Sequence, residues 1–148
     1  MSGVEGDMKK GGLEDFGAYR KSLELFDLVA KDMETLKGEY SLGRLVSQQL
    51  ASADSICANI EEGYGRLSRK EYIRFLDFAR GSARETWGRY RRMKHWLSED
   101  VIRQRTGLLD EIIGILTATI ATLTRERTGV REDSPSYGSD PMSESLDT

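Results

Sequence analysis

Gln49-Leu50-Ala51-Ser52-Ala53-Asp54-Ser55-Ile56-Cys57-Ala58-Asn59-Ile60-Glu61-Glu62-Gly63 is the stretch from which the fold can be read. Leu42, Leu45 or Val46, Gln49 or Leu50, Ala53, Ile56 or Cys57 and Ile60 recur at helical steps and give one apolar stripe of about five turns. Ser47, Ala51, Ser52, Ser55 and Ala58 lie beside it, and such small side chains let helix axes approach closely. Asn59 places an amide in that stripe, where it either keys the register between helices or subunits or bonds a carbonyl near the helix end. Gly63 is expected to stop this second helix, with Gly65 helping the chain reverse.

Working outward, the preceding segment shows Phe16, Tyr19, Leu23, Phe26, Val29 or Ala30, Met33, Leu36 and Tyr40 on one face, which predicts a first helix from Asp15 to Lys37, ended by Gly38. Downstream, Ser68 and Glu71 have capping-box spacing and open a third helix, which Tyr72, Phe75 or Leu76, Phe78 or Ala79, Ala83, Thr86 or Trp87, Tyr90 and Met93 carry toward Leu97. Gly81-Ser82 falls in its middle, where a glycine costs about 1 kcal/mol relative to alanine; a close helix contact would account for it. Ser98 caps a fourth helix, whose stripe is Val101 or Ile102, Leu108 or Leu109, Ile112 or Ile113, Leu116, Thr119 or Ile120 and Leu123, and which Gly129 is expected to end. Four amphipathic helices with short connections predict an all-α, up-down-up-down antiparallel four-helix bundle over residues 13–129. Residues 1–12 read as a flexible leader, and 130–148 as a disordered acidic tail.

Composition narrows the chemistry. The chain has 148 residues, enough for one core, and both prolines lie near the C-terminus. Cys57 is the single cysteine and His95 the single histidine, which excludes an intramolecular disulfide, a cysteine zinc cluster and a His-bearing di-iron pair. Arg92, not an acid, stands three residues before His95. Glu61, Glu62, Glu71 and Glu85 are better explained by capping and ion pairing than by metal, so neither a metal nor another cofactor is expected. No catalytic residue stands out. No apolar run approaches the roughly 18 residues that span a bilayer, and a cytoplasmic protein is the expectation.

The net charge of −3 conceals an uneven distribution. Five acids and no basic residue fall in 132–148, whereas Arg66–Lys94 holds ten basic residues against three acids. At about 100° per residue Arg80, Arg84 and Arg91 share one side of helix three. Arg66, Arg69, Lys70, Arg74, Arg92 and Lys94 extend the basic set. Such a strip can follow phosphates, or it can be a solvated face that pairs with neighbouring acids. Trp87, near its edge, either stacks on a base or anchors an interface.

Gln49-Leu50, Ala53, Ser55-Ile56, Ala58-Asn59-Ile60 and Glu62-Gly63 resemble the signature of the 23S rRNA intervening-sequence proteins, the S23 or four-helix-bundle family. Arg66, Ser68, Glu71-Tyr72, Arg74-Phe75-Leu76, Ala79, Gly81-Ser82 and Glu85 are similar to that family's second block. The two blocks span residues 49–85, and the helical layout extends the likeness over about 15–128. The chain departs from the pattern at Ala51-Ser52, where the family carries a basic pair, and at Glu61, where it carries alanine. Its connection between helices one and two is also shorter. The accessory variability determinants of diversity-generating retroelements form a related group. The resemblance implies a ring-shaped homopentamer and, for the retroelement group, partners that are RNA and a reverse transcriptase. The intervening-sequence group has no agreed molecular function. Gln49, Ser55, Asn59, Glu62, Gly63, Gly81, Ser82, Glu85 and Trp87 are therefore expected to serve structure or interface. The basic strip is expected to contact structured RNA or a ribonucleoprotein; the competing expectation is a protein-interaction scaffold.

Overall fold

The computed structural model describes residues 12–133. Among them are four long helices and no strand: α1 (Gly17–Glu34), α2 (Gly43–Tyr64), α3 (Arg69–Arg92) and α4 (Glu99–Asp133). Short 3-10 turns at Leu13–Asp15, Tyr40–Leu42 and Met93–His95 lead into α1 and α2 and out of α3. Each helix packs on its neighbours in sequence, and α1 closes the square on α4. The up-down-up-down order expected from the short connections is the order found.

The core follows the predicted stripes on α2, α3 and α4, but on α1 the face is shifted: Leu23 and Tyr40, expected inside, are 40% and 99% exposed, and Leu25, outside the expected set, is fully buried. Leu25, Val29 and Met33 of α1, Ile56 and Ile60 of α2, Leu76, Ala79, Ala83 and Tyr90 of α3, and Leu109, Ile112, Leu116 and Leu123 of α4 are all essentially without solvent contact. At roughly 25 cal/mol per Å² of apolar surface, burial of this set is the main force closing the bundle.

Helix ends differ from the expected ones in instructive ways. α1 stops at Glu34, where Thr35 Oγ1 donates to the Asp32 carbonyl at 2.7 Å and satisfies a terminal acceptor; Gly38 lies further on, in the connection. α3 ends at Arg92 rather than running to Leu97, because a 3-10 turn brings Met93 into the core and both Trp96 N–H and Leu97 N–H close on its carbonyl. Ser68 Oγ accepts from the Glu71 N–H as predicted, but the Glu71 carboxylate turns to Arg74 instead of completing the box. α4 runs through Gly129 to Asp133; one interior glycine costs only about 1 kcal/mol and does not stop a helix. The remaining tail and the leader before residue 12 lie outside the described residues.

Gly63 is the clearest reversal. It is not a stop but a buried position inside α2, and the chain reverses two residues later at Gly65. A Cβ on Gly63 would sit 2.8 Å from Phe75 Cβ and 3.2 Å from Tyr72 Cδ1, so this glycine is what lets α3 approach α2 here. Gly81, expected at a close contact, has nothing within 4 Å of a Cβ built on it. Within one chain it faces open space.

α4 also modifies the reading of hydropathy. A stretch of it reaches a mean hydropathy of 1.5, long and apolar enough to cross a membrane by length and composition, although no unbroken apolar run is present. Its Leu109, Ile112 and Leu116 pack into the bundle, yet only 28% of the stretch is buried within one chain. The outer side of α4 thus presents small and apolar residues.

Candidate nucleic-acid interface

The signature stretch folds into a hydrogen-bonded ladder against α3. Fully buried Gln49 donates through Nε2 to the Thr86 carbonyl at 3.0 Å. The Ser52 and Thr86 hydroxyls share a 2.7 Å bond, and Thr86 Oγ1 donates back to the Ser82 carbonyl. One turn further, Ser82 Oγ donates to Ser55 Oγ at 2.9 Å, and Asn59 Nδ2 donates to both the Ser55 carbonyl and its hydroxyl. Asn59 therefore takes the local role, a bond within its own helix, and contributes to register only through Ser55. The helical steps of three and four in Gln49, Ser52, Ser55 or Ile56, Asn59 and Gly63 face the matching steps of Ser82, Thr86 and Arg89 in reverse order, as antiparallel packing requires.

Arg89 was not singled out by sequence, yet it completes the ladder. Its Nη1 donates to Gln49 Oε1 at 2.9 Å, to Ser52 Oγ at 3.0 Å and to the Gln48 carbonyl at 3.3 Å. Burial pushes its pKa below the ordinary arginine value, with Glu85 opposing the shift and Arg92 adding to it. The available signal was its spacing, three residues beyond Thr86 and seven beyond Ser82 on the same stripe.

The nine basic candidates do not form one uniform strip. Arg69 reaches Glu126 at 2.7 Å, and Arg80 reaches Asp77 at 2.8 Å and Thr117 Oγ1 at 3.2 Å, so both lean on α4. Arg66 pairs with Glu62 and lies 5.0 Å from the Phe75 ring centroid. Arg74 pairs with Glu71 and stacks near both Phe75 and Phe78, whose rings meet edge to face at 5.7 Å. Arg91 lies 5.3 Å over the Trp87 ring. Lys70, Arg84, Arg92 and Lys94 are exposed and make no ion pair among the described residues. By helical position, Arg74 and Arg92 sit roughly 100–120° around α3 from Arg80 and Arg91.

Trp87 is half-buried, its Nε1 is enclosed without an acceptor, and one ring face carries Arg91. That is the environment of an anchor at the core's edge. Glu62 serves Arg66, whereas Glu85 is exposed and makes no ion pair. His95 is exposed and rests edge-on against Trp96. Cys57 is buried, and that burial pushes its thiol pKa up, away from thiolate chemistry. Among the described residues no three His, Cys, Asp or Glu side chains converge as metal ligands.

A buried ion pair was also missed. Asp32 on α1 accepts from Arg105 Nε at 2.8 Å and Nη2 at 3.0 Å, and from the Tyr90 hydroxyl at 2.6 Å. This ties α1, α3 and α4 together. The hydrogen bond to Asp32 holds the Arg105 pKa up, and burial followed by the same carboxylate raises that of Tyr90. Asp32 follows Val29 by three, and Arg105 falls between Ile102 and Leu109, so each occupies a core position that reads as a gap in an apolar stripe. A second cross-helix bond joins the Tyr19 hydroxyl to Glu61 at 2.7 Å and pushes the phenol pKa up to about 12.

Fold and seam together define an antiparallel four-helix bundle whose second and third helices are keyed by side-chain hydrogen bonds. The chain belongs to the 23S rRNA-intervening sequence protein family, whose model matches residues 14–118. It is also similar to the crystal structure of a protein with unknown function from the S23 ribosomal protein family of Bacteroides thetaiotaomicron VPI-5482. That likeness is 26% identical with a TM-score of 0.66 and covers 70% of this chain and 97% of the other. Comparison with curated proteins gives no match.

Proposed function

We propose that this protein is a non-catalytic, self-assembling helical bundle that binds structured RNA or a ribonucleoprotein through the basic face of α3. The observation that carries the reading is how the acids of α3 are used. Asp77 is taken by Arg80 and Glu71 by Arg74, which leaves Lys70, Arg84, Arg91, Arg92 and Lys94 without a carboxylate partner among the described residues. Exposed cations spaced along a rigid helix suit a phosphate backbone, and repetition in a ring would multiply the contact. The resemblance of the two motif blocks supports a homopentamer, with a retroelement-type reverse transcriptase complex as one such ribonucleoprotein partner; we place it in the cytoplasm. The incompletely buried apolar side of α4 supports self-association.

RNA binding measured across salt concentration tests the reading. Affinity should fall steeply with salt, and an Arg84→Glu/Arg91→Glu variant should bind more weakly, with a slope shallower by roughly 1.5–2 if both residues contact phosphate. No binding at low salt overturns RNA recognition and favours the protein-interaction scaffold, for which half-exposed Phe78 is the supporting observation. Light scattering tests assembly. Gly81→Leu meets open space within one chain, so loss of the oligomer in that variant places α3 in a subunit contact, and a monomeric wild type overturns assembly.

A further inference from the structure

Beside the seam, Gln48, Ala51, Ser52, Ser55, Glu85 and Arg89 line an open groove of about 300 Å³, at the small end of the roughly 300–1,000 Å³ range of ligand sites. Its floor is low because Ala51, Ser52 and Ser55 have short side chains. Its two charged members stand one helical turn apart. Glu followed four residues later by Arg is the favoured ion-pair spacing on a helix. Here the pair is not made. Arg89 is drawn to α2 instead, where Gln49, Ser52 and the Gln48 carbonyl all accept from its Nη1. Two consequences follow for the groove. The guanidinium is held in place by Gln49 and Ser52, both buried, while its Nε and Nη2 make no hydrogen bond among the described residues. The Glu85 carboxylate likewise makes no ion pair and stands on the same groove as a free acceptor.

We propose that this groove takes one unpaired guanine base of an RNA ligand, an inference that rests on the RNA-binding reading above. Guanine presents adjacent acceptors, O6 and N7, on one edge, the pair that an arginine fork recognises best. Its N1–H and N2–H₂ are adjacent donors that a carboxylate can accept together. Adenine, cytosine and uracil each lack that double donor edge. Unpaired bases are read in this way on their Watson–Crick and Hoogsteen edges. A phosphate alone fits the groove poorly, because Glu85 repels it.

The test uses full-length protein and a stem-loop RNA with a single unpaired guanine, compared with the same RNA carrying inosine, 7-deazaguanine or adenine at that position. Fluorescence anisotropy should show each replacement weakening binding roughly tenfold, the discrimination expected of one lost base-edge contact. Glu85→Gln and the groove-filling Ala51→Leu should each erase the preference while salt-dependent binding persists. Both positions are exposed, so circular dichroism should show native helicity. Equal affinity for all four RNAs overturns the groove proposal and leaves RNA binding standing. Absence of binding to any of them at low salt overturns both. A preference that survives Ala51→Leu and Glu85→Gln places guanine recognition elsewhere and also overturns the proposal.

Discussion

Removing Arg105 is the most informative single perturbation of the fold. Asp32 and Arg105 are 6% and 8% exposed, and the Asp32 carboxylate depends on two bonds from the guanidinium and one from Tyr90. Arg105→Met retains most of the aliphatic volume but strands a carboxylate with a single phenol donor. Breaking one side of a buried pair costs about 3–5 kcal/mol, because the surviving charge stays desolvated. For a helical domain of this size, that corresponds to a fall in Tm on the order of 10–20 °C. Replacing all three partners, as Asp32→Leu/Tyr90→Phe/Arg105→Met, removes the charge and every unsatisfied group together. That variant should recover most of the loss, since buried pairs are commonly worth little more than apolar groups of the same shape. The assay is urea and thermal unfolding followed by far-ultraviolet circular dichroism at one fixed protomer concentration, because assembly stabilises by mass action. A loss below about 1 kcal/mol for Arg105→Met, the range of an exposed pair, would refute the buried-triad reasoning. So would a triple variant no more stable than the single one.

Two further outcomes test the seam and the tyrosines. Gly63→Ala should destabilise by about 1–3 kcal/mol despite the roughly 1 kcal/mol helix-propensity gain, because Phe75 Cβ at 2.8 Å is fixed to its backbone and α2 must move away from α3; an unchanged or raised urea midpoint would contradict this. Stability should also fall as pH rises from about 10 toward 12: the unfolded chain releases the Tyr19 proton near the ordinary phenol value, while Glu61 holds it in the folded chain to about 12. Tyr90 shifts in the same direction and adds to the fall. Tyr19→Phe should make the decline shallower, read from unfolding free energies at stepped pH, and an equally steep decline in that variant would show that Tyr19 is not its source.

How far the fold could be read from sequence depended on the range of the interaction. Three of the four stripes were legible because helical periodicity is local: Ile60, Leu116 and Leu123 needed only their spacing, whereas on α1 spacing pointed to Leu23 and Tyr40, which are exposed, and passed over Leu25. Gly63 was misread for the same reason, since a glycine can cap a helix, admit a neighbour or face solvent, and only the partner helix distinguishes these; Gly81 meets no helix of its own chain. Asp32 and Arg105 are 73 residues apart, and neither stripe alone announces the other. The basic face was half legible. Spacing grouped Arg80, Arg84 and Arg91, but nothing local showed that Thr117 and Glu126 on α4 would engage Arg80 and Arg69, or that Gln49 would hold Arg89.

The polar seam also explains why a family signature can be made of residues that set how two helices pack. Ile56 and Ile60 provide burial but little register, since apolar side chains tolerate a shift of one turn. Gln49, Ser52, Ser55, Ser82 and Thr86 do not tolerate it. Sliding α3 by one turn would strand Gln49 and the paired hydroxyls, at roughly 1–3 kcal/mol for each unsatisfied buried group, and would drive Phe75 away from the one position where Gly63 admits it. The ladder thereby fixes both the rotation and the height of α3. Whatever meets Arg84 and Arg91 therefore meets side chains whose placement is decided on the opposite face of the same helix, by α2, while whatever enters the Glu85–Arg89 groove meets α2 itself.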